Sequence, residues 1–245
     1  MWALEMDWKP YIDWKPFIDV LWVAGIGLQG MLGVVLLTKK AWKTYPLFTT
    51  YSLFSLFASI TSFFLQGYRK IYFYSYWLEE AITIVLGLGV VYEVFRHLFS
   101  NHKALLKRAR LIFACTFVAL FCVALSVVLV QALPDSMLRN RVLIFEEAIR
   151  VVELGLLMFL FAAALALGLP WRQAEFGIAL GLGLFVAVEL AVVALLTQVD
   201  YGPQWKLLNV VRILAFDTSL VVWLHYLLAP EKAANGRGSV RFGVS

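Results

Sequence analysis

Charged residues are scarce in this chain, and their scarcity excludes an ordinary soluble fold. Asp, Glu, Lys and Arg make up 15% of the 245 residues, whereas soluble domains contain about 25%. Hydrophobic residues make up 62%, and a two-layer soluble core cannot bury that much apolar surface. The sequence therefore predicts a protein that is surrounded by lipid.

Cysteine and histidine are also rare, with two and three copies. Cys115 and Cys122 stand in one apolar run and are interpreted as small hydrophobic residues rather than a redox pair. The histidines form no HxxxH pair, and none lies deep enough in a predicted helix to ligate a haem. We therefore expect no metal site and no cofactor. The sequence also has no basic stripe with exposed aromatic residues, so we expect no nucleic-acid partner.

Seven apolar runs are each long enough to cross a bilayer as a helix. The fold class that they predict is all-α, a polytopic membrane protein with a seven-transmembrane-helix bundle. The predicted bounds of these segments, numbered 1 to 7 in chain order, are 18–38, 46–66, 71–93, 111–133, 142–168, 175–197 and 207–229.

The predicted transmembrane domain occupies residues 18–230 and has a short flank on each side. Residues 7–12 and 13–18 repeat the pattern Asp-Trp-Lys-Pro-aromatic-Ile, so residues 1–17 are predicted to be an interfacial aromatic segment. The start of the chain lacks the basic region of a signal peptide, and we expect segment 1 to be retained. Residues 231–245 are rich in Ala, Gly and Ser and are predicted to be a disordered cytoplasmic tail.

Basic residues outside the apolar runs set the predicted orientation. With the N-terminus outside, 7 basic residues lie on the outer side and 12 on the inner side. The connection between segments 3 and 4 contributes most of the difference. We therefore expect the N-terminus outside and the C-terminus in the cytoplasm.

Charge inside the predicted helices is concentrated at one depth. Seven carboxylates and two arginines lie in segments 3, 5, 6 and 7 away from the inner ends of these segments, and the helical rise places four of the glutamates about 6–14 Å below the outer boundary. Charge in hydrocarbon is costly and is usually kept for a cavity, an ion path or a paired network. With so few arginines, the cluster must hold protons, bind a cation or be hydrated. The predicted ligand- or ion-binding residues are Glu79, Glu80, Glu146, Glu147, Arg150, Glu153, Glu189, Arg212 and Asp217.

Spacing along segment 5 limits the ion pairs that its arginine can form. Arg150 shares a helix face with Glu146 and Glu153 and lies one turn from Glu147, so it can pair with any of these three acids. An alternative to a binding site is a network of ion pairs that locks the bundle together, with the shallowest glutamates hydrated.

Small residues form stripes on two other segments. Gly177 and Gly181 stand one turn apart in segment 6. A second stripe recurs at three- and four-residue steps in segment 2: Ser52, Ser55, Ser59 and Ser62. Small side chains on one face let a neighbouring helix approach closely, so both stripes are interpreted as packing seams.

The inner end of segment 3 carries Glu93, Arg96 and His97. Glu93 and Arg96 can pair at a spacing of three residues while Arg96 reaches the membrane interface. These residues are candidates for coupling to a partner, which would be a separate cytoplasmic signalling protein that meets residues 94–110. An ordinary helix end is the alternative.

Three stretches resemble uncharacterised bacterial seven-helix integral membrane proteins. They are residues 77–80 at the start of segment 3, Tyr-Glu-Val-Phe-Arg at 92–96, and Phe176-Gly177 at the start of segment 6. The resemblance implies a location in the bacterial inner (plasma) membrane and supplies no activity. The likeness to rhodopsins and G-protein-coupled receptors stops at the helix count. The Glu-Glu-Ala-Ile-Arg stretch at 146–150 departs from the EExxxR motif of CAAX-type intramembrane proteases, because its arginine comes one residue early.

The leading hypothesis is a sensor or receptor-like protein that binds a small cationic or proton-linked ligand. The pocket is predicted to be acidic, to open outward and to lie between segments 3, 5, 6 and 7. A proton- or cation-coupled secondary transporter would use the same carboxylates. A structural subunit of a larger membrane complex would pair them internally or with partner helices. An enzyme is the least favoured interpretation, because neither a nucleophile nor a set of metal ligands is visible.

Overall fold

The computed structural model describes residues 14–65, 68–100, 103–131, 138–168, 172–196 and 203–229. The predicted interfacial repeat falls almost entirely outside these residues, and the tail at 231–245 does so completely. A short 3-10 helix, Ala41–Lys43, precedes the second α-helix. Within the described ranges the chain forms α1 (Trp14–Thr38), α2 (Pro46–Leu65), α3 (Arg69–Leu98), α4 (Lys103–Gln131), α5 (Leu138–Ala166), α6 (Gln173–Leu196) and α7 (Pro203–Leu228), with no strand among them.

The predicted fold class is confirmed, because each apolar run has become one helix of an all-helical bundle. Six of the helices are long and apolar enough to cross a membrane, so the chain is an integral membrane protein. The remaining helix, α3, carries Glu79, Glu80, Glu93 and Arg96 within its 30 residues. It nevertheless packs against α2, α5 and α6 as part of the same bundle.

The connection between α3 and α4 is shorter than the predicted loop at residues 94–110. Helix α3 continues to Leu98, and α4 already begins at Lys103. Hydropathy marks where apolar residues end, whereas backbone hydrogen bonding continues through the polar residues beyond them. Most of the basic residues predicted to meet a partner therefore belong to helix ends.

Five helices form a closed ring, and two lie outside it. Helix α1 packs against α2 and α7, α2 against α3, α3 against α6, and α6 against α7. Helix α5 packs against α3 and α6, and α4 packs against α5. The side chains of Cys115 and Cys122 on α4 are exposed together with many apolar neighbours, as expected for a surface that faces lipid.

Glycines bring α6 and α7 into close contact inside the ring. A side chain added at Gly177 would overlap Tyr226, and one added at Gly181 would overlap the Trp223 indole. The Trp223 Nε1–H donates a hydrogen bond to the carbonyl oxygen of Ile178 at 3.2 Å. The glycine stripe of α6 is therefore a packing seam, as predicted.

Candidate functional site

Arg150 of α5 lies in a buried network of ion pairs. Its guanidinium pairs with Glu80 of α3 and, at 3.0 Å, with Glu153 on its own helix. The centre of the Phe185 ring of α6 lies 5.4 Å from the guanidinium carbon, a distance typical of a cation–π contact. Only 2% of the arginine side chain is exposed. Arg150 therefore connects α3, α5 and α6 in a region without bulk water.

A second arginine connects α7 to α5 and α6. Arg212 pairs with Glu189 of α6 and, at 3.3 Å, with Glu146 of α5. Both carboxylates are buried, whereas 19% of the Arg212 side chain is exposed. The four helices that carry the predicted charge thus bring it together, and much of it is paired.

The ion pairs of the α5 acids differ in detail from those predicted by their spacing along segment 5. Of the three acids on α5 that lie within reach of Arg150 by spacing, only Glu153 pairs with it. Glu146 is directed to Arg212, and Glu147 forms no ion pair within the described part of the chain. Residues on one helix face still point over a range of directions, and the positions of α6 and α7 decide which acid meets which arginine.

A cavity of about 260 Å³ lies within the ring of five helices. Residues of α1, α2, α3, α6 and α7 line it, and α5 contributes none. The predicted pocket lies between segments 3, 5, 6 and 7, whereas this cavity includes residues of α1 and α2 and no described residue of α5, which packs outside the ring. Of the predicted binding residues, those that line the cavity are Glu79, Glu80, Glu189, Arg212 and Asp217.

Two of the lining carboxylates have no arginine partner. Glu79 accepts hydrogen bonds from the hydroxyls of Ser62 at 2.6 Å and Ser75 at 2.8 Å. Asp217 has neither a hydrogen bond nor an ion pair among the described residues, and it lies against the backbone of α1. A Cβ added at Gly25 would be only 2.6 Å from its Oδ1 atom. Asp217 therefore presents a carboxylate to the cavity without a counter-charge from the described protein.

Neutral polar residues also line the cavity, and this position was not predicted from the sequence. The amide Nε2 of Gln29 on α1 donates to the Ser59 hydroxyl at 3.0 Å. Ser52 instead turns into the packing and donates to the carbonyl oxygen of Phe48 at 2.9 Å. The feature of the sequence that could have indicated this lining is the helical spacing of serine residues in the otherwise apolar segment 2. The other three members of this stripe line the cavity: Ser55, Ser59 and Ser62.

Aromatic side chains supply most of the remaining wall. An aromatic face attracts cations, most strongly where water is excluded. The combination of aromatic rings with excess carboxylate favours a positively charged occupant over a negatively charged one. The aromatic residues that line the cavity are Trp22, Tyr51, Tyr72, Tyr76, Phe185 and Phe216.

Three carboxylates also approach one another closely enough to hold a metal ion, although the sequence predicted no metal site. One oxygen each from Glu80, Glu146 and Glu189 lies within 4.8 Å of the others. Each of these acids already forms an ion pair with Arg150 or Arg212, so a metal ion would have to displace a guanidinium group. The arrangement is better suited to holding three helices together than to holding a metal.

Glu93, predicted to couple to a partner, instead holds the start of α2. Its two carboxylate oxygens accept hydrogen bonds from the backbone N–H groups of Leu47 and Phe48, each at 2.9 Å. These donors lack partners within the helix, and a negative charge there also favours the helix dipole. Glu93 is buried, and it forms no ion pair with the exposed Arg96 in the described structure. His97 packs its ring 4.9 Å from that of Tyr45.

We expect Glu93→Ala to lower the free energy of unfolding by about 2–3 kcal/mol, because two charge-assisted hydrogen bonds are lost in a buried place. Unfolding of the purified protein in mixed micelles measures this change. Arg96→Ala, one turn away and exposed, is the matched control and should change stability by about 0.5 kcal/mol or less. Equal stability of the two variants would contradict the capping role.

No protein-family model, curated protein or solved structure matches the chain. A function for the chain must therefore be inferred from the geometry of the cavity and its charges.

Proposed function

We propose that this protein is a membrane receptor or sensor that binds a small cation in the cavity between α1, α2, α3, α6 and α7. The observation that carries the proposal is Asp217, a carboxylate that lines the cavity without a counter-charge among the described residues. An uncompensated charge in a membrane interior is costly, and a bound cation would offset that cost.

The residues around Asp217 also favour a positively charged ligand. Glu79, Glu80 and Glu189 line the cavity with it, whereas Arg212 is the one arginine among the described lining residues. Aromatic rings complete the wall. The volume of about 260 Å³ is near the lower end of the roughly 300–1,000 Å³ of ligand pockets, which favours a small cation.

We expect small cations to raise the melting temperature of the purified protein in detergent, and Asp217→Asn to remove most of the rise. At 100 times the Kd, binding adds about 2.7 kcal/mol, which is about 5–10 °C for a domain of this size. The probes are the chlorides of sodium, magnesium, n-butylammonium and tetramethylammonium at equal ionic strength.

Glu147→Gln is the matched control for this experiment, because it neutralises a carboxylate that does not line the cavity. It should keep the response of the unmodified protein. A melting temperature that no probe changes, or an equal response of the two variants, would overturn the proposal.

A receptor of this kind would lie in the bacterial inner membrane with its N-terminus outside. The excess of basic residues on the opposite side supports this orientation. The cavity would then extend from the middle of the bundle towards its outer end, and the signal would pass to a separate cytoplasmic protein near the exposed Arg96. Protease accessibility of a tag at each terminus in intact cells tests the orientation.

A secondary transporter is the second candidate, and the depth of the cavity favours it. Gly25, Phe185 and Asp217 line the cavity, and each lies near the middle of its helix. Transporters commonly bind their substrate at this level. Uptake of a labelled cation into proteoliposomes, driven by a proton gradient, would favour transport, and binding without uptake would favour a receptor.

A further inference from the structure

We propose that the deep end of the cavity binds the ammonium group of a primary amine through Gln29, Tyr51 and Ser55, an inference that rests on the proposed cation-binding function. These three residues are called the polar floor. They line the cavity and are 4%, 2% and 8% exposed, respectively. Each has a buried oxygen without a hydrogen-bond partner in the described part of the chain: Gln29 Oε1, Tyr51 Oη and Ser55 Oγ.

Unpaired buried polar atoms are rare, because leaving one without a partner costs about 1–3 kcal/mol. Three that line one small cavity indicate a ligand rather than a defect in packing. The amide of Gln29 is held by its donation to Ser59, which leaves Oε1 as an acceptor. Tyr51 and Ser55 are one turn apart on α2, so their hydroxyls lie on the same face.

The number and type of these atoms match one chemical group. A primary ammonium carries three N–H donors and no acceptor, as the lysine side chain does. The polar floor offers three oxygens that can each accept one hydrogen bond. A quaternary ammonium has no N–H donor, and an alkali or alkaline-earth ion prefers a larger set of oxygen ligands.

A carboxylate without a described counter-charge lines the same cavity as the polar floor. The Asp217 carboxylate contacts α1 at Gly25, one helical turn before Gln29 on the same helix. An ammonium at the polar floor would therefore share its cavity with a negative charge, which offsets the cost of burying a positive one. Phe185 and Phe216 also line the cavity and can pack against a short carbon chain.

Titration of the purified protein with n-butylammonium, tetramethylammonium and sodium chlorides tests this inference. We expect the primary amine to bind at least about tenfold more tightly than the other two, which corresponds to about 1.4 kcal/mol. Tyr51→Phe and Ser55→Ala each remove one hydrogen-bond acceptor, and each should lower the affinity for n-butylammonium about tenfold. Neither should affect tetramethylammonium.

Ser52→Ala is the matched control, because this serine belongs to the same stripe but donates to Phe48 and does not line the cavity. It should leave the affinity for n-butylammonium unchanged. Since the Tyr51 and Ser55 hydroxyls have no partner in the described structure, both test variants should fold as the unmodified protein does. If one variant does not, the other carries the test.

The outcomes separate this inference from the proposed function. If tetramethylammonium or sodium binds as tightly as n-butylammonium, and Tyr51→Phe and Ser55→Ala change nothing, the polar floor is not an ammonium site although the cavity still binds cations. If no cation binds and Asp217→Asn has no effect, the proposed function itself fails. Selective binding of the primary amine that both variants weaken supports both.

Discussion

Replacing Arg150 by methionine is expected to lower the free energy of unfolding by about 3–5 kcal/mol, the largest effect of any single substitution considered for this chain. Methionine retains much of the length and apolar volume of the side chain but removes the guanidinium. Glu80 and Glu153 then lose their counter-charge. Because the Glu153 side chain is 1% exposed, water cannot replace the lost partner.

The same substitution also removes the contact between the guanidinium and Phe185, and with it the direct polar connections from α5 to α3. We expect the protein to unfold in mixed micelles at a lower fraction of denaturing detergent, and its melting temperature to fall. Tryptophan fluorescence, to which the buried Trp223 contributes, follows this transition.

Removing the two acids together with the arginine should restore most of the loss. In Arg150→Met with Glu80→Gln and Glu153→Gln, no charge is left unpaired at this position, and apolar replacement of buried ion pairs is often neutral. Glu147→Gln on the same helix is the control for the loss of one charge, and it should change the free energy of unfolding little. If Arg150→Met is as stable as the unmodified protein, the network does not hold the bundle together.

The helices themselves could be predicted almost completely from the sequence. Runs of apolar residues identify helices in a membrane, because lipid leaves the backbone no partner except itself. The ends were less certain where polar residues extend a helix beyond the apolar run, as at Lys103. The orientation of the bundle in a membrane stays a prediction.

The charged part of the site could be predicted only in outline. A rise of 1.5 Å per residue places Glu80, Arg150 and Glu189 at a similar depth, and the structure brings their helices together. The helical rise does not reveal how each helix is rotated about its axis. For that reason Glu146 could not be assigned to Arg212 on α7, 66 residues away.

The neutral part of the site was missed because it has no distinctive composition. Tyr51 and Ser55 belong to an aromatic and serine-rich helix whose period fits a packing seam equally well. Their lack of partners becomes visible only once α1 and α7 are in place. The hydrogen bonds of Glu93 could not be predicted for a similar reason, since its partners Leu47 and Phe48 lie 46 and 45 residues earlier in the chain.

Replacing Arg212 by methionine is expected to have two opposite effects. It should lower the free energy of unfolding by about 2–3 kcal/mol, because Glu146 and Glu189 lose their common partner. The loss should be smaller than for Arg150, since the Arg212 side chain is 19% exposed and partly screened by water. At the same time, the affinity for n-butylammonium should rise about tenfold, because a positive charge leaves the wall of the cavity.

Melting temperatures with and without n-butylammonium measure both effects in one experiment. Without the amine, Arg212→Met should melt below the unmodified protein, and the amine should raise its melting temperature by more than it raises that of the unmodified protein. Glu147→Gln is the matched control, because it changes a charge at a residue that does not line the cavity, and it should leave the response to the amine unchanged.

The direction of the affinity change tests the sign of the ligand. A cation is repelled by Arg212, so it must bind more tightly once the guanidinium is removed. A ligand that carries a carboxylate or phosphate would instead pair with Arg212 and bind more weakly to Arg212→Met. Weaker binding would therefore mean that the ligand presents an anionic group to α7, and a purely cationic ligand would have to be abandoned.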